Sequence, residues 1–365
     1  MKIGILGTRG IPNYHGGFEQ FTEYFSVYLY ENGNDVYVYN SSSHPYKKKD
    51  FKGVKIISCL DPEEKIGTMG QFVYDLNCIL NARKQNFDII LQLGYTSNSV
   101  WYKFLPKKPL IITNMDGLEW KRSKYSKPVK KFLKFAEKLA VKSSDFLIAD
   151  SLGIQKYLKL QYNIESEYIA YGAELFKFPN ESVLEEYKVS GLKYNMLIAR
   201  LEPENNIEVI LDGVSQSKRE YPFLVIGKHG NKFGEYLKRK FKDSKNIRFI
   251  GGVYDIDKLN NLRYYSNLYF HGHSVGGTNP SLLEAMASNA FIIAHDNEFN
   301  KSILGDDAFY FKEKEDVSYF VDNFSKNDFS DKTKNCFNKI EEKFNWDSIN
   351  NKYLKYLSEC YNTNK

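Results

Sequence analysis

Short apolar, β-branched runs alternate with helix-periodic segments along the whole chain, and this alternation limits the folds open to it. The runs are Lys2–Leu6, Asp35–Tyr39, Val54–Ser58, Asp88–Leu93, Leu110–Thr113 and Phe146–Ala149. A second series follows at Asn195–Ala199, Phe223–Ile226, Ile247–Ile250, Leu268–Phe270 and Phe291–Ala294. Continuous apolar strands between helices belong to parallel sheets covered on both faces, because each crossover lays a helix on the sheet. At 365 residues the chain exceeds one core of ordinary size. Two α/β domains are therefore expected, joined near 170–180, where Tyr171-Gly172-Ala173 and Pro179 interrupt the pattern. The segment from Trp346 to Tyr361 carries Ile349, Tyr353, Leu354 and Leu357 at helical spacing.

Charge is divided unevenly between the two halves. Residues 1–170 hold 24 Lys/Arg against 17 Asp/Glu, whereas residues 171–365 hold 27 against 28. The net +6 is thus +7 in the first half and −1 in the second, so one half is expected to meet something anionic. Four scattered cysteines (Cys59, Cys78, Cys336, Cys360) form no C-x-x-C pair. They read as reduced thiols of a cytosolic protein, not as a disulfide frame or zinc site. Met1-Lys2 leads directly into a strand-like run and reads as no signal peptide. No apolar run approaches the ~20 residues that span a bilayer, so membrane contact is expected to be peripheral.

Three constellations can carry chemistry. Gly4, Gly7 and Gly10 follow the first run, but a dinucleotide fingerprint would need glycine where Ile5 stands. That motif fails and disfavours a dehydrogenase, while the glycines, with Gly16-Gly17 beyond them, either bring backbone close to a ligand or only permit tight turns. Phe18-Glu19 then opens a helix with Phe21, Phe25 and Leu29 on one face. The strongest constellation is the stretch from His271 to Glu284, where Gly272, Gly276 and Gly277 lead to Thr278, Asn279 and Pro280. Asn279 or Thr278 is the expected cap and Pro280 the first helical residue. Glycines before a helix N-terminus make an anion site, since free N–H groups and the helix dipole both favour phosphate. Glu284, one turn in, reads as an acceptor for a sugar hydroxyl or as a solvated helix carboxylate. The third is Arg200, at a strand's carboxyl end, where a guanidinium can clamp a diphosphate.

Taken together, these residues resemble the retaining GT-B glycosyltransferases of the glycogen-synthase-like superfamily (family 4). Gly16-Gly17 matches that family's acceptor loop, Arg200 its arginine after the first strand of the second domain, and Glu284 the second Glu of its Glu-x7-Glu motif. Gly7-Thr-Arg-Gly-Ile-Pro, Gly16-Gly-Phe-Glu, Asp116-Gly-Leu-Glu-Trp-Lys-Arg, Ala199-Arg-Leu-Glu-Pro-Glu-Asn and the 272–284 stretch are more closely similar to the bacterial rhamnosyltransferase branch, over nearly the whole chain. There are departures. Asn205 stands where the superfamily's Lys would be, Gly276 where its first Glu would be, and Met115-Asp116 where its His is common.

The resemblance implies an α/β GT-B fold of two Rossmann-like domains facing a central cleft. Residues 1–170 would bind acceptor and 171–345 nucleotide sugar, with a C-terminal helix, 346–365, expected to pack back on the N-terminal domain. It implies a metal-independent, retaining transfer of rhamnose from dTDP-rhamnose to a lipid-diphosphate-linked saccharide, on the cytoplasmic face of the cell membrane. The donor is a substrate, so no cofactor is expected. Expected donor contacts are Arg200, Lys228, Val253, Gly276, Gly277, Thr278, Asn279 and Glu284. Expected acceptor contacts are Gly16, Gly17, Phe18, Glu19, Asp116 and Glu119. Arg200 and Glu284 are expected in catalysis, with Asp116 either a base or acceptor orienter there or a turn cap through Gly117. Another nucleotide sugar, UDP- or GDP-linked, and a GT-B epimerase remain alternatives. Nucleic-acid binding lacks any recognition motif and is disfavoured.

The basic excess concentrates between Lys121 and Lys142, where nine Lys/Arg face one acid, Glu137. After Pro128 the spacing is helical, with Val129, Phe132, Leu133, Ala136, Leu139 and Ala140 expected on one face. Lys130, Lys131, Lys134 and Lys138 are expected opposite, either simply solvated or against an anionic membrane surface.

Overall fold

The computed structural model describes residues 1–14 and 16–364. It divides into two compact units: Met1–Lys121, Tyr125–Tyr171 and Trp346–Lys365 in the first, Arg122–Lys124 and Gly172–Asn345 in the second.

The first unit is built on eight strands: β1 (Lys2–Leu6), β2 (Asp35–Ser41), β3 (Asp50–Phe51), β4 (Val54–Cys59), β5 (Ile89–Leu93), β6 (Leu110–Asn114), β7 (Phe146–Ala149) and β8 (Glu167–Tyr168). Their order across the sheet is β3-β4-β2-β1-β5-β6-β7-β8, parallel throughout except for the antiparallel β3–β4 edge. Every residue of β5 is buried, as a strand covered on both faces requires. The helix Gly17–Glu31 buries Phe21, Phe25 and Leu29. The helix Trp346–Thr363 completes this core, Tyr353 lying 4.7 Å from Phe21 and 5.1 Å from Phe25, ring to ring. The buried Tyr353 hydroxyl accepts from Asn114 Nδ2 at 2.8 Å, so burial leaves its polar end satisfied.

In the second unit six strands follow: β9 (Asn195–Ile198), β10 (Phe223–Ile226), β11 (Ile247–Gly251), β12 (Leu268–His271), β13 (Ile292–His295) and β14 (Phe309–Phe311). The sheet runs β11-β10-β9-β12-β13-β14, all parallel. Phe223, Val225, Phe270, Phe291 and Phe311 are among the residues forming its core. Each such side chain contributes about 1.5–3 kcal/mol by leaving water.

Both sheets reverse direction of strand order beside their first strand, at β1/β5 and at β9/β12. In open parallel sheets ligands collect outside the carboxyl ends at such switch points, because neighbouring crossovers depart to opposite faces and leave a crevice. The strand bounds read from sequence stand within two residues. The short β3, β8 and β14 were not expected. Among the described residues no helix is long and apolar enough to cross a membrane.

Candidate functional site

In the second unit the switch point gathers the strongest sequence constellation. β12 ends at His271, and a glycine-containing loop leads to the helix Pro280–Ala287. Asn279 is the cap, its Oδ1 accepting from Ser281 N at 2.9 Å, and Pro280 takes the first turn. Gly276 sits at φ 137°, where a side chain would be strained, while Thr278 is buried against the loop. Gly272 has a different reason: a Cβ there would lie 2.0 Å from the Asn205 carbonyl oxygen. The 200–206 turn and the 272–279 loop thus touch backbone to backbone.

Arg200 follows β9 with an exposed side chain, and its carbonyl accepts from Asn205 Nδ2 at 2.7 Å. Asn205, buried, therefore braces the turn that presents Arg200. Lys228, exposed after β10, stands over the Tyr254 ring at 5.4 Å, close to Val253 in the stretch that follows β11. His271 is fully buried with neither ring nitrogen hydrogen-bonded, and burial holds its pKa well below the usual histidine range. His273 stacks on it at 4.4 Å between ring centroids. Its Nδ1 is sealed from water, and burial, then the Arg200 and Arg122 guanidiniums, push its pKa down to about 3. Both imidazoles are neutral at physiological pH.

Glu284 is not the solvated helix carboxylate of the simpler reading. Its Oε2 accepts from Arg263 Nη2 at 2.6 Å, and Arg263 is 1% exposed. Arg263 also donates to Asn260 Oδ1 at 2.8 Å and Ser281 Oγ at 3.2 Å, so the ion pair is tied to the helix that carries Glu284. An ion pair of this kind fixes the carboxylate's orientation. The second oxygen, Oε1, is left to accept from a hydroxyl. Arg263 lies in the helix Ile256–Tyr265, in a stretch with no motif signal, and the sequence reading missed it.

In the first unit, Gly7 at φ 88° is held so close to β5 that a Cβ would meet the Leu93 carbonyl oxygen at 2.2 Å. The turn that follows carries Arg9. Gly16 precedes the helix Gly17–Glu31 and its N–H donates to Asn13 Oδ1 at 3.2 Å. Phe18 packs near Tyr171, 6.4 Å between rings, and Glu19, buried, accepts from Arg9 N at 2.8 Å and Thr8 Oγ1 at 3.3 Å. Glu19 therefore ties the glycine turn to the helix. Together with Arg9, Ser41, Ser43, Asp61 and Glu63 it lines a cavity of about 380 Å³. Arg9 is clamped between Asp61 at 3.2 Å and Glu63 at 2.5 Å. Nearby, burial raises the Asp75 carboxyl to about 6, opposed by the Ser97 hydroxyl at 2.5 Å and by the Arg9 charge. Of these cavity residues the sequence reading named Glu19 as a contact and quoted Arg9 only inside the Gly7-Thr-Arg-Gly-Ile-Pro motif; Ser41, Ser43, Asp61 and Glu63 it did not mark.

Asp116 lies beyond β6 in left-handed backbone, φ 48°, its N–H donating to Asn114 Oδ1 at 2.9 Å. A non-glycine residue held there at a strand's carboxyl end carries strain of a kind that collects at functional sites. Glu119 opens a short 3₁₀ turn two residues past Gly117, whose carbonyl it meets through its N–H at 2.9 Å.

The basic helix, Lys127–Ser143, corrects the sequence reading at two points. Lys134 is only partly exposed: its Nζ pairs with the buried Glu137 at 3.0 Å and lies over the rings of Trp120 at 4.4 Å and Tyr157 at 4.5 Å. Glu137 also accepts from Trp120 Nε1 at 2.8 Å, Tyr157 OH at 2.7 Å and Tyr162 OH at 2.6 Å, which makes the inward face partly polar. Of the expected apolar face Leu133, Ala136 and Ala140 are buried and Leu139 partly so, while Val129 and Phe132 are exposed, as is Phe135, which was not expected on that face. Lys131 and Lys138 are exposed as expected and Lys130 is partly so. Exposed cations and exposed apolar side chains therefore share one helix.

Three comparisons bear on identity. Residues 1–174 match the family described as a domain of unknown function (DUF1972), and residues 185–343 match glycosyl transferases group 1. A search of curated protein sequences finds no match. Among solved structures, the chain is similar to sucrose-phosphate synthase from Thermosynechococcus elongatus at 13% identity, covering 99% of both chains with a TM-score of 0.81. It is similar to a glycosyltransferase from Rickettsia africae at 16% identity, covering 98% of this chain and 97% of that one, TM-score 0.73. It is also similar to HepE from Anabaena in complex with UDP and glucose, at 14% identity, 98% and 99% coverage and a TM-score of 0.75. At these identities the likeness establishes the fold, which is GT-B, two parallel-sheet Rossmann-like domains.

Proposed function

We propose that this chain, a GT-B protein carrying a group 1 glycosyltransferase domain, is a retaining, metal-independent transferase acting on a lipid-linked saccharide. Its donor reading is dTDP-rhamnose, which rests on the resemblance of its motifs to the rhamnosyltransferase branch. UDP-sugars are the second reading, supported by the complex of HepE with UDP and glucose on the same fold. The observation that carries the proposal is the second unit's switch point, where Arg200, a glycine loop, a capped helix N-terminus and an oriented Glu284 converge.

Those parts match the electronic demand of the reaction. The bond from the anomeric carbon to the phosphate oxygen breaks, and the nucleoside diphosphate leaves with the electron pair. Arg200, Lys228 and the N–H groups near Gly277 to Asn279 stabilise that growing charge, at about 3 kcal/mol for each preorganised donor. Glu284 Oε1 receives a ribose hydroxyl, and Val253 lies beside the base. The acceptor hydroxyl attacks from the face the leaving group vacates, passing its proton to the departing phosphate oxygen, so configuration is retained. Asp116, with Glu119 beside it, orients that hydroxyl.

On the acceptor half, the cavity with its carboxylates and serine hydroxyls suits a polyhydroxyl group. Three carboxylates against one guanidinium make it a poor home for phosphate. The lipid diphosphate is therefore assigned to the basic helix, where Lys131 and Lys138, with Lys130 in part, accompany exposed Phe132 and Phe135 at an anionic membrane surface. Incubation with dTDP-rhamnose or UDP-glucose and lipid-diphosphate saccharides tests the reading. It predicts an acceptor heavier by one sugar residue, with the donor's anomeric configuration by NMR. Nucleotide release without any acceptor-dependent product would overturn it.

A further inference from the structure

The three residues Arg122–Lys124 belong in space to the second unit although the chain on both sides of them folds with the first. They are fastened there by a specific bond. Ser123 Oγ donates to Glu204 Oε2, and Glu204 is buried in the turn that follows Arg200. The Glu204 carbonyl in turn accepts from Ser274 N at 3.2 Å and Ser274 Oγ at 2.7 Å. Ser274 lies between His273 and the Gly276-Gly277 loop. One carboxylate residue thus fastens the 122–124 segment, the Arg200 turn and the glycine loop together.

Arg122 is the neighbour of Ser123 in that clamp, and its charge, like that of Arg200, acts on His273 at the start of the glycine loop. We infer that Arg122 is a ligand of the donor's diphosphate and shares the leaving-group charge with Arg200. The inference rests on the donor reading above. Burial is the main cause that keeps His273 neutral, and the Arg200 and Arg122 charges both act in the same direction. Like charges gathered at one site are unfavourable in the empty protein and become favourable when a doubly charged anion enters. A guanidinium's planar fork also suits two phosphate oxygens at once, which an ammonium cannot match. Asn205, a neutral amide, supplies no cation, and its Nδ2 donates to the Arg200 carbonyl. The sequence had marked Arg122 as part of a basic run and as the last residue of the Asp116-Gly-Leu-Glu-Trp-Lys-Arg motif, with no role of its own.

The test is calorimetric titration of the full chain with UDP, UMP, dTDP and dTMP, so that the β-phosphate is the single variable within each pair. Arg122→Met is expected to weaken the better diphosphate by about 10- to 30-fold while leaving the matching monophosphate within about twofold. Arg122→Lys should recover part of the loss, and Ser123→Ala, which frees the segment from Glu204, should lose affinity in the same direction by less. Should Arg122→Met melt abnormally, Arg122→Gln replaces it with the same expected discrimination. An Arg122→Met protein that keeps its diphosphate preference while Arg200→Met loses it would overturn the inference alone. Wild-type protein that binds none of the four nucleotides would overturn the donor reading, and the inference with it.

Discussion

Replacing Arg263 by leucine probes the Glu284 ion pair most sharply. The guanidinium is 1% exposed and donates to Asn260, Ser281 and Glu284. Arg263→Leu removes all three bonds and leaves Glu284 charged against an apolar side chain. Breaking a fully buried pair costs about 3–5 kcal/mol; because the Glu284 side chain keeps 19% exposure, solvent lowers the expectation to about 2–4 kcal/mol. For a unit of this size each kcal/mol moves the midpoint by roughly 2–4 °C, so scanning calorimetry should register a fall of about 4–16 °C in the second unit's transition. The companion variant Arg263→Leu/Glu284→Leu should recover most of that loss, because apolar side chains of similar volume replace buried pairs at little cost. A single-variant loss under about 1 kcal/mol, or a double variant no more stable than the single, would refute the reasoning.

Three further outcomes follow from buried or surface charge. Glu137→Gln should destabilise the first unit by about 2–4 kcal/mol in urea titration, since an amide oxygen cannot serve the four donors that meet at this carboxylate. His271 and His273 stay neutral in the fold but bind protons once unfolded, so stability falls as pH drops below about 6.5. For His273 that loss continues to pH about 3. His271→Leu should remove about 1.4 kcal/mol per pH unit from the slope between pH 4.5 and 6, and an unchanged slope would contradict its burial as a neutral ring. Lys131→Ala/Lys138→Ala should weaken binding to anionic vesicles by about 30-fold at low salt, with Lys134→Ala adding no comparable charge effect. Equal binding of wild type to neutral and anionic vesicles would sink the membrane role.

The α/β class was legible because strands buried on both faces write themselves as continuous apolar runs, Ile89–Leu93 most plainly. Edge strands such as Asp50–Phe51 and Glu167–Tyr168 carry no such run, being two residues long and partly exposed. The cap at Asn279 and the helix from Pro280 were readable because capping chemistry is local in sequence. What depended on distant partners was not. Arg9 meets Asp61 across 52 positions, and Arg263 meets Glu284 across 21. Lys134 looks like its neighbours Lys131 and Lys138 on paper. It differs because Trp120, Tyr157 and Glu137 converge around it only once their elements have packed.

The central claim is that the second unit binds a nucleotide sugar through its diphosphate and ribose. Titrating dTDP-rhamnose and UDP-glucose into wild type, Arg200→Met and Glu284→Gln measures this directly by calorimetry. Saturating the preferred donor at 100 times Kd should stabilise the wild type by about 2.7 kcal/mol. Both variants should bind it at least tenfold more weakly while melting cooperatively. Binding that is equally tight in all three proteins, or absent from the wild type, would contradict the account.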